Sequence, residues 1–598
     1  MPERPSEVDV DVDVLIVGGG GAGLTASILL SELGIDHVLI NARPSTSNLP
    51  KAHLLNQHTM EIFTDLGVAD TVYERGTPAE NMRYSGWYAG LAGTDPDAGR
   101  RFGLIESWGA AGSSPEWAAA SPYRSTNLPQ IRLEPVLRER AEALAPPGRI
   151  RFHHELTTFT QDADGVTATI ADHATGTGTG AAYEIRARYL LGCDGGRTVG
   201  RALGIDLEGP RDLMRVATIH LTADLSAWAR DPEVYIRWLL IPDTGTGATV
   251  VPMGPTRWGP DSEEWVVHLN YATDDPRGLD DDKVTADLRT TLGLYDHDLT
   301  VHLITRWAIE GVVASRFQDG RVFLLGDAAH RHPPTGGLGL NAAIQDTANL
   351  AWKLAAVLRG EAGAALLDTY EPERRPTTAR NVQRAIDNAL NHIVTADAIA
   401  AGDTTDPAGN WANMRRLWSG LPEDAEHAAH VRRLIAGQSM EFNEHNIEYG
   451  YTYASSAIVP DGTAAPDNPD PIRIYQPCAR PGHPLPHAWL DADDGTQLST
   501  LDLVRPGRLL LIAGEDGEDW CEAAVKLADT APLDVVRIGH LDGEYLDRRS
   551  TWFRLRGHDG GGAVLVRPDR FVAWRALTTS ADPVRDLSAA LDAVLARR

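Results

Sequence analysis

At 598 residues, 42% hydrophobic and 23% charged, the chain is too long for one ordinary domain and suggests roughly two to four. Lys and Arg total 55 against 83 Asp and Glu, a net charge of −28, and that field repels phosphate backbones and anionic membranes. No nucleic-acid or membrane partner is therefore expected, and no apolar run approaches the ~20 residues that span a bilayer.

The acidic start, MPERPSEVDVDVDV, lacks the basic region of a signal peptide. Cys193, Cys478 and Cys521 lie far apart and form no CxxC pair, so a reducing, cytoplasmic setting is expected. Residues 11–41 read as strand, glycine turn, helix and strand: DVDVLIVGG, then AGLTASILLSEL with helical Leu and Ile spacing, Gly34 as a stop, then HVLIN. From about Met214 to Tyr271 short β-rich runs (MRVATIHLTADL, VYIRWLLIP, ATVVPMG, EWVVHLNY) predict an antiparallel sheet inserted between two α/β portions. The spacing after residue 340 predicts a helix, AAIQDTANLAWKLAAVL, running to Gly360, and about residues 380–450 read as helical. A Pro-rich hinge follows, and from about Leu498 strand and helix alternate to the C-terminus.

Three stretches carry chemistry. Gly18-x-Gly20-x-x-Gly23 leaves a strand and opens a helix: Gly18 permits the tight turn, Gly20 admits a pyrophosphate to the backbone, and Gly23 lets helix pack on sheet. The helix N-terminus offers free N–H groups and partial positive charge to a diphosphate. The acid usual about 20 residues on, which accepts from ribose hydroxyls, is replaced by Asn41 in LINARP, an acceptor without charge. Asp194-Gly195 follows a second strand. In GDAAHRHPPTGGLGLNAAIQD, Asp327 ends a third, Pro333 and Pro334 stiffen a loop, and Gly336, Gly337 and Gly339 admit a flat ring to bare backbone. Gly339-Leu340-Asn341 then opens a helix whose unpaired N–H groups favour negative charge.

Together these stretches resemble the fingerprints of FAD-dependent, single-component aromatic hydroxylases, the p-hydroxybenzoate/phenol hydroxylase superfamily, nearest its phenol/2,4-dichlorophenol and polyketide hydroxylase branches. PKAHLLNQHTMEIFTDLGV and LPQIRLEPVL extend the likeness, which is strong over about residues 10–390. It implies an α/β fold in three parts: a Rossmann-like FAD-binding domain, an inserted antiparallel substrate sheet and a C-terminal thioredoxin-like domain without CxxC. The expected divisions are 1–205 for the first FAD-binding part (with a substrate-side excursion about 80–120), 206–310 for the sheet, 311–395 for the second FAD-binding part, 396–465 for a helical middle segment, and 470–598 for the terminal domain.

The likeness further implies FAD contacts from Gly18, Gly20, Gly23, Asn41, Arg43, Gln130, Asp194, Asp327, Pro334, Gly337, Gly339, Leu340 and Asn341. Lys51 stands where relatives often have Arg, keeping charge but losing a bidentate fork. Asp327 would meet ribitol or diphosphate, and the Leu340–Asn341 amides the ring near N1 and O2. There reduced flavin is anionic, and a helix N-terminus is worth ~0.3–2 kcal/mol.

The implied reaction uses NAD(P)H as transient donor, O2, and a flavin C4a-hydroperoxide whose distal oxygen is attacked by an electron-rich ring, and the resemblance implies a homodimer. A phenol of pKa near ~10 is ionised only to about 0.1% at neutral pH, so a local base helps. His53 stands where phenol hydroxylase-like members have an acid, and an unperturbed His pKa of ~6.5 suits that task. The alternative is a helix-flanking histidine bound to backbone. Trp238 and Met253, on the inserted sheet, are candidate linings of an apolar substrate pocket. HRH and EHAAH lack metal-ligand order, so no metal is expected. A polycyclic polyketide is the alternative substrate. Flavin-dependent halogenation, whose GWxWxIP signature is missing, and a non-catalytic FAD-binding protein are the remaining readings.

Overall fold

A computed structural model describes residues 10–173 and 182–597; the acidic first nine residues of the N-terminus fall outside them. Val14–Val17 are apolar in succession, as in a strand covered on both faces. Their strand, Val10–Val17, is the centre of a parallel sheet between His37–Asn41 and Ala182–Gly192, which Ile150–Phe152 and Val322–Leu324 extend outward. Parallel neighbours require a crossover. The first is the helix Gly21–Glu32, which buries Leu24, Ile28 and Leu30 against the sheet.

A second, seven-stranded sheet runs Leu299–Ala308, Arg215–Ala223, Glu264–Tyr271, Thr246–Gly254, Val234–Ile241, Tyr84–Ala89 and Arg101–Glu106. It is antiparallel except where Val234–Ile241 meets Tyr84–Ala89, a strand contributed by the excursion at 80–120. Side chains alternate across a sheet. One face (Ile219, Leu221, Leu239, Val250, Val267, Leu269) packs on the helix Asp281–Leu292. The other (Trp87, Ala89, Ile236, Leu240, Val251) meets Ile399, Trp411, Met414, Ile435 and Phe442 of the helices that follow Tyr370.

Beyond residue 480 a third sheet pairs Leu509–Ala513 in parallel with Leu533–Gly539 and antiparallel with Ala563–Val566, which in turn pairs Val572–Ala576. The helices Glu518–Leu527 and Pro583–Val594 cover it, and Trp352, Ala356 and Leu366 from the preceding portion complete that core. Fully buried ions cross the seam. Arg567 donates to both carboxylate oxygens of Glu373 at 2.6 and 2.9 Å, and Lys353 Nζ to the same group at 2.7 Å. Burial pushes the Glu373 carboxyl up, but the two cations overcome this and hold it well below the usual carboxylate range. Among the described residues no helix is long and apolar enough to cross a membrane.

Candidate active site

The dinucleotide turn is built by close approach. Gly18 has φ +117°, and a Cβ there would run into the Cys193 carbonyl; one on Gly23 would run into the Gly18 carbonyl. Gly20 differs, since its Cβ would meet only Glu134 Oε1, at 3.4 Å. Asn41 Oδ1 accepts the Gly19 N–H at 3.2 Å and Nδ2 donates to the Arg43 carbonyl at 3.2 Å, so the amide ties the second strand to the glycine turn. The Arg43 side chain is exposed, as is Lys51. Gln130 donates to Glu134 Oε1 at 2.5 Å, and the Ser47 N–H to Oε2 at 2.6 Å. Burial raises the pKa of Glu134, a group sequence reading missed. The Asp194 carboxylate accepts the N–H groups of Gly196, Thr198 and Val199 at 3.0, 2.6 and 2.9 Å, which fixes the turn into the next helix.

The glycine loop converges on this turn. Asp327 is exposed and its carboxylate makes no hydrogen bond among the described residues. Behind it, Asp346 accepts from Gly326 N–H (3.1 Å) and Arg374 Nε (2.7 Å) and pairs with His330 Nε2 (2.7 Å), all buried. Pro334 is exposed and its carbonyl accepts the Gly337 N–H at 3.2 Å. The helix begins at Leu338, capped by Gly337 at φ 67°. The N–H groups of Leu338, Gly339 and Leu340 therefore lack intrahelical acceptors, whereas that of Asn341 enters the ladder. Asn341 acts instead through its buried side chain, which accepts from Asn56 N–H (3.0 Å) and donates to the carbonyls of Leu54 (3.0 Å) and Gly337 (2.8 Å). A Cβ on Gly21 would touch Leu340 Cδ1 at 2.8 Å, so the N-termini of two helices meet. Gly339 faces His332, whose two ring nitrogens are buried without hydrogen bonds.

Bare glycine at 20 and 339, two convergent helix N-termini, a free carboxylate at 327 and orphaned nitrogens at 332 form a cradle suited to a dinucleotide carrying a flat ring. The residues present fit FAD.

The segment carrying His53 is pinned to this cradle. Asn341 holds both Leu54 and Asn56, and a Cβ on Gly337 would meet the Leu54 side chain at 2.8 Å. His53 is partly buried, and burial lowers its pKa to about 4, below the ordinary value expected for it from sequence. Its Nδ1 lies 3.0 Å from Asn127 Nδ2, and Asn127 Oδ1 lies 2.5 Å from the hydroxyl of buried Tyr235. The His53 and Tyr235 rings are 5.4 Å apart, and Trp108 packs 6.3 Å from Tyr235.

Strand register sets Trp87, Trp238, Thr249, His268 and Thr218 in one row on the face toward this cluster. Burial and the neighbouring His53 bring His268 down to about 4. Trp238 stacks on His392 at 3.9 Å with its indole N–H buried and unpartnered. His392 contacts Glu441 Oε2 at 2.7 Å, and Glu441 Oε1 accepts the Gly336 N–H at 3.2 Å, joining the sheet to the glycine loop. Met253 is buried near the end of its strand, its N–H donating to Ser262 Oγ at 3.2 Å, and among the described residues no hydrogen bond joins it to the His53 cluster. Asn127, Tyr235, His268, His392 and Glu441 come from separate segments with no motif around them; only Asn127, three residues before Gln130, stood beside a recognised stretch.

Known proteins place this arrangement. Residues 11–385 match the FAD binding domain family and 478–597 the C-terminal segment of aromatic-ring hydroxylases. The chain is 34% identical over 579 residues to a 2,4-dichlorophenol 6-monooxygenase of Delftia acidovorans, covering 96% of each. It is 35% identical to a tetracenomycin B2 monooxygenase-dioxygenase of Streptomyces olivaceus, again over 96% of each. Among solved structures, the flavin-dependent monooxygenase PieE, in complex with FAD and substrate, superposes with a TM-score of 0.90 at 37% identity, over 99% of this chain and 100% of that one. Aklavinone-11 hydroxylase, with FAD and aklavinone, gives 0.77 at 30% identity over 99% and 100%. The glycine cradle and the sheet facing it are thus those of an enzyme, and the chain belongs to the family of FAD-dependent aromatic-ring monooxygenases.

Proposed function

We propose that this enzyme hydroxylates a phenolic aromatic substrate with NAD(P)H and O2. One observation carries the reading: the helix N-terminus suited to the ring and the strand suited to the substrate oxygen are a single unit, because Asn341 hydrogen-bonds on either side of Leu54, next to His53. Bound FAD supplies the redox chemistry, accepting electrons from NAD(P)H and activating O2. The turn Gly18–Gly23 and the helix behind it would hold the diphosphate, aided by Asn41, Arg43, Lys51 and Asp194, with Asp327 on ribitol or diphosphate. The Leu338–Leu340 N–H groups, with Pro334, Gly337 and Gln130, would hold the ring and favour the anion that reduction creates there. His53 meets the substrate hydroxyl, and Trp87, Trp108, Tyr235 and Trp238 shield it from water.

A polycyclic aromatic polyketide is the second reading. The row from Trp87 to His268 crosses three strand spacings, on the order of 14 Å at ~4.8 Å each, wider than a single ring needs. Substrate recognition falls to 206–310 with the excursion at 80–120, FAD binding to 1–205 and 311–395, and closure of the pocket to 396–465. A parallel strand pair joined by the helix Glu518–Leu527 and followed by two antiparallel strands supports a thioredoxin-like reading of 470–598; lone Cys521 gives it no redox pair. Leu390, Ile393 and Val394, each about half exposed on one helix face, support a homodimer. Three free cysteines support a cytoplasmic site.

The test is a panel from monocyclic to tetracyclic phenols, scored by NADH or NADPH consumption and product mass. The expected result is yellow protein, cofactor oxidation that requires the phenol, and a product heavier by one oxygen atom. Protein that stays colourless with excess FAD, or oxidises NAD(P)H with no oxygenated product from any phenol, overturns the reading.

A further inference from the structure

His53 has two nitrogens, and the fold has already assigned one of them. Asn127 Oδ1 lies 2.5 Å from Tyr235 Oη, and an amide oxygen only accepts. Tyr235 therefore donates to the amide oxygen. Two other groups lie near its hydroxyl, the Thr77 hydroxyl and the Pro252 carbonyl, and the second, 3.4 Å away, competes weakly. With Oδ1 so occupied, Asn127 turns Nδ2 toward His53 Nδ1 at 3.0 Å. An amide NH2 only donates, so Nδ1 must present its lone pair, and in the neutral ring the proton then sits on Nε2. Nε2 makes no hydrogen bond among the described residues.

We propose, on the reading that the substrate is a phenol bound at His53, that Tyr235 and Asn127 are positioning residues that lock His53 as an Nε2–H donor, so that the enzyme takes its substrate as the phenolate. The phenolic O–H bond breaks heterolytically, the electron pair stays on oxygen, the proton passes to bulk water, and Nε2–H donates to the resulting anion. No electron moves in this step. For His53 to take the proton instead, Asn127 would have to turn over and donate to the Tyr235 oxygen, and Tyr235 would have to give up its 2.5 Å bond and redirect its proton to the Pro252 carbonyl at 3.4 Å or to Thr77.

The groups around the ring agree. His268, on the facing strand, is kept neutral by burial and offers no negative charge. Tyr235 is buried and its hydroxyl stays protonated far above its ordinary range. Arg132, which acts on Tyr235 electrostatically, brings positive charge and is itself paired with Glu264 at 2.7 Å. Glu264 offsets that charge, so the pair leaves the site of the proton to the hydrogen bonds at His53. Among the described residues no carboxylate forms a hydrogen bond or ion pair with His53 to support an imidazolium.

The experiment uses FAD-loaded enzyme with para-nitrophenol and a hydroxyanthraquinone, whose ionised forms are coloured, in weakly buffered solution with an indicator dye. Wild type is expected to show bound phenolate below the free phenol's pKa, one proton released per ligand bound, and affinity falling about tenfold per pH unit below that pKa. His53→Gln, which keeps a donor and removes any base, should preserve the phenolate spectrum; His53→Leu should lose it. Asn127→Asp should invite the proton onto Nδ1, free Nε2 as an acceptor, and flatten both proton release and the pH slope. Tyr235→Phe, which leaves the amide free to turn, should give an intermediate slope at unchanged FAD content, so the result stands even where Asn127→Asp fails to fold. Phenolate formation with no proton released, or loss of the phenolate spectrum in His53→Gln, overturns this proposal while leaving the hydroxylase reading intact. A wild-type enzyme that neither binds nor hydroxylates any phenol overturns both.

Discussion

Single glycines divide here into those that pack and those that face a ligand. Gly18 and Gly23 are closed in by protein carbonyls, whereas Gly20 meets only the end of the Glu134 side chain. Gly23→Ala should therefore give little folded protein. Gly20→Ala should fold with an unchanged melting temperature but bind FAD at least tenfold more weakly, read by flavin fluorescence titration. A Gly20→Ala enzyme with wild-type FAD affinity would place the diphosphate elsewhere. Glu448 allows a second test, since both its carboxylate oxygens are buried without partners and burial raises its pKa to about 8. A raised carboxyl pKa means that the folded state favours the protonated form. The stability it gives is full below the ordinary carboxylate pKa and is lost as pH rises toward 8. Glu448→Gln should remove that loss, a gain on the order of several kcal/mol at pH about 9 and little near pH about 5, measured by urea unfolding. The glycine motif was legible because backbone needs leave a fixed spacing. Asn127 and Tyr235 were not, because nothing about a lone amide or phenol reveals which ring it will face.

Among the elements, the long apolar-periodic ones followed their patterns: the strand Val10–Val17, the helix Leu338–Leu358 and the alternating units after Leu498. Their faces are set by periods of two and 3.6 residues that any reader of the chain can count. Where the ring-binding helix begins was less legible; it opens at Leu338, one residue before the start expected at Gly339, because Gly337 adopts the left-handed cap. The turn Trp108–Gly112 carried no signal at all. Trp108, Gly109, Ala110, Ala111 and Gly112 have φ of 53°, 59°, 51°, 60° and 78°, a left-handed turn that costs roughly 1–2 kcal/mol per non-glycine residue. Tertiary contacts hold it: Asn443 Oδ1 accepts the Gly109 N–H at 2.9 Å and Asn443 Nδ2 donates to the Glu106 carbonyl at 2.7 Å. Gly109 lies against the Trp117 ring, which stacks on His445 at 4.0 Å. Gly109→Ala should displace that ring and cost about 1–3 kcal/mol of stability. A melting temperature unchanged from wild type would mean that the turn relaxes freely.

At the scale of the molecule, the seam between the flavin-binding portion and the C-terminal sheet is ionic at its centre and apolar around it. Sequence showed a terminal domain and a hinge, but not that Arg567 would meet Glu373, 194 residues away. Long-range pairing of buried charges has no local pattern to read. Arg567→Met should leave Glu373 short of a counter-ion and cost about 3–5 kcal/mol, with FAD retention falling because Arg374, one residue on, also holds Asp346 behind the glycine loop. Equal thermal stability of the variant and wild type would show that the seam carries no such load. The same seam sets an order of events during synthesis. Until residue 567 has been made, Glu373 lacks its guanidinium and Trp352 and Leu366 have only part of their cover, so the flavin-binding portion is expected to settle well after its own residues have been synthesised.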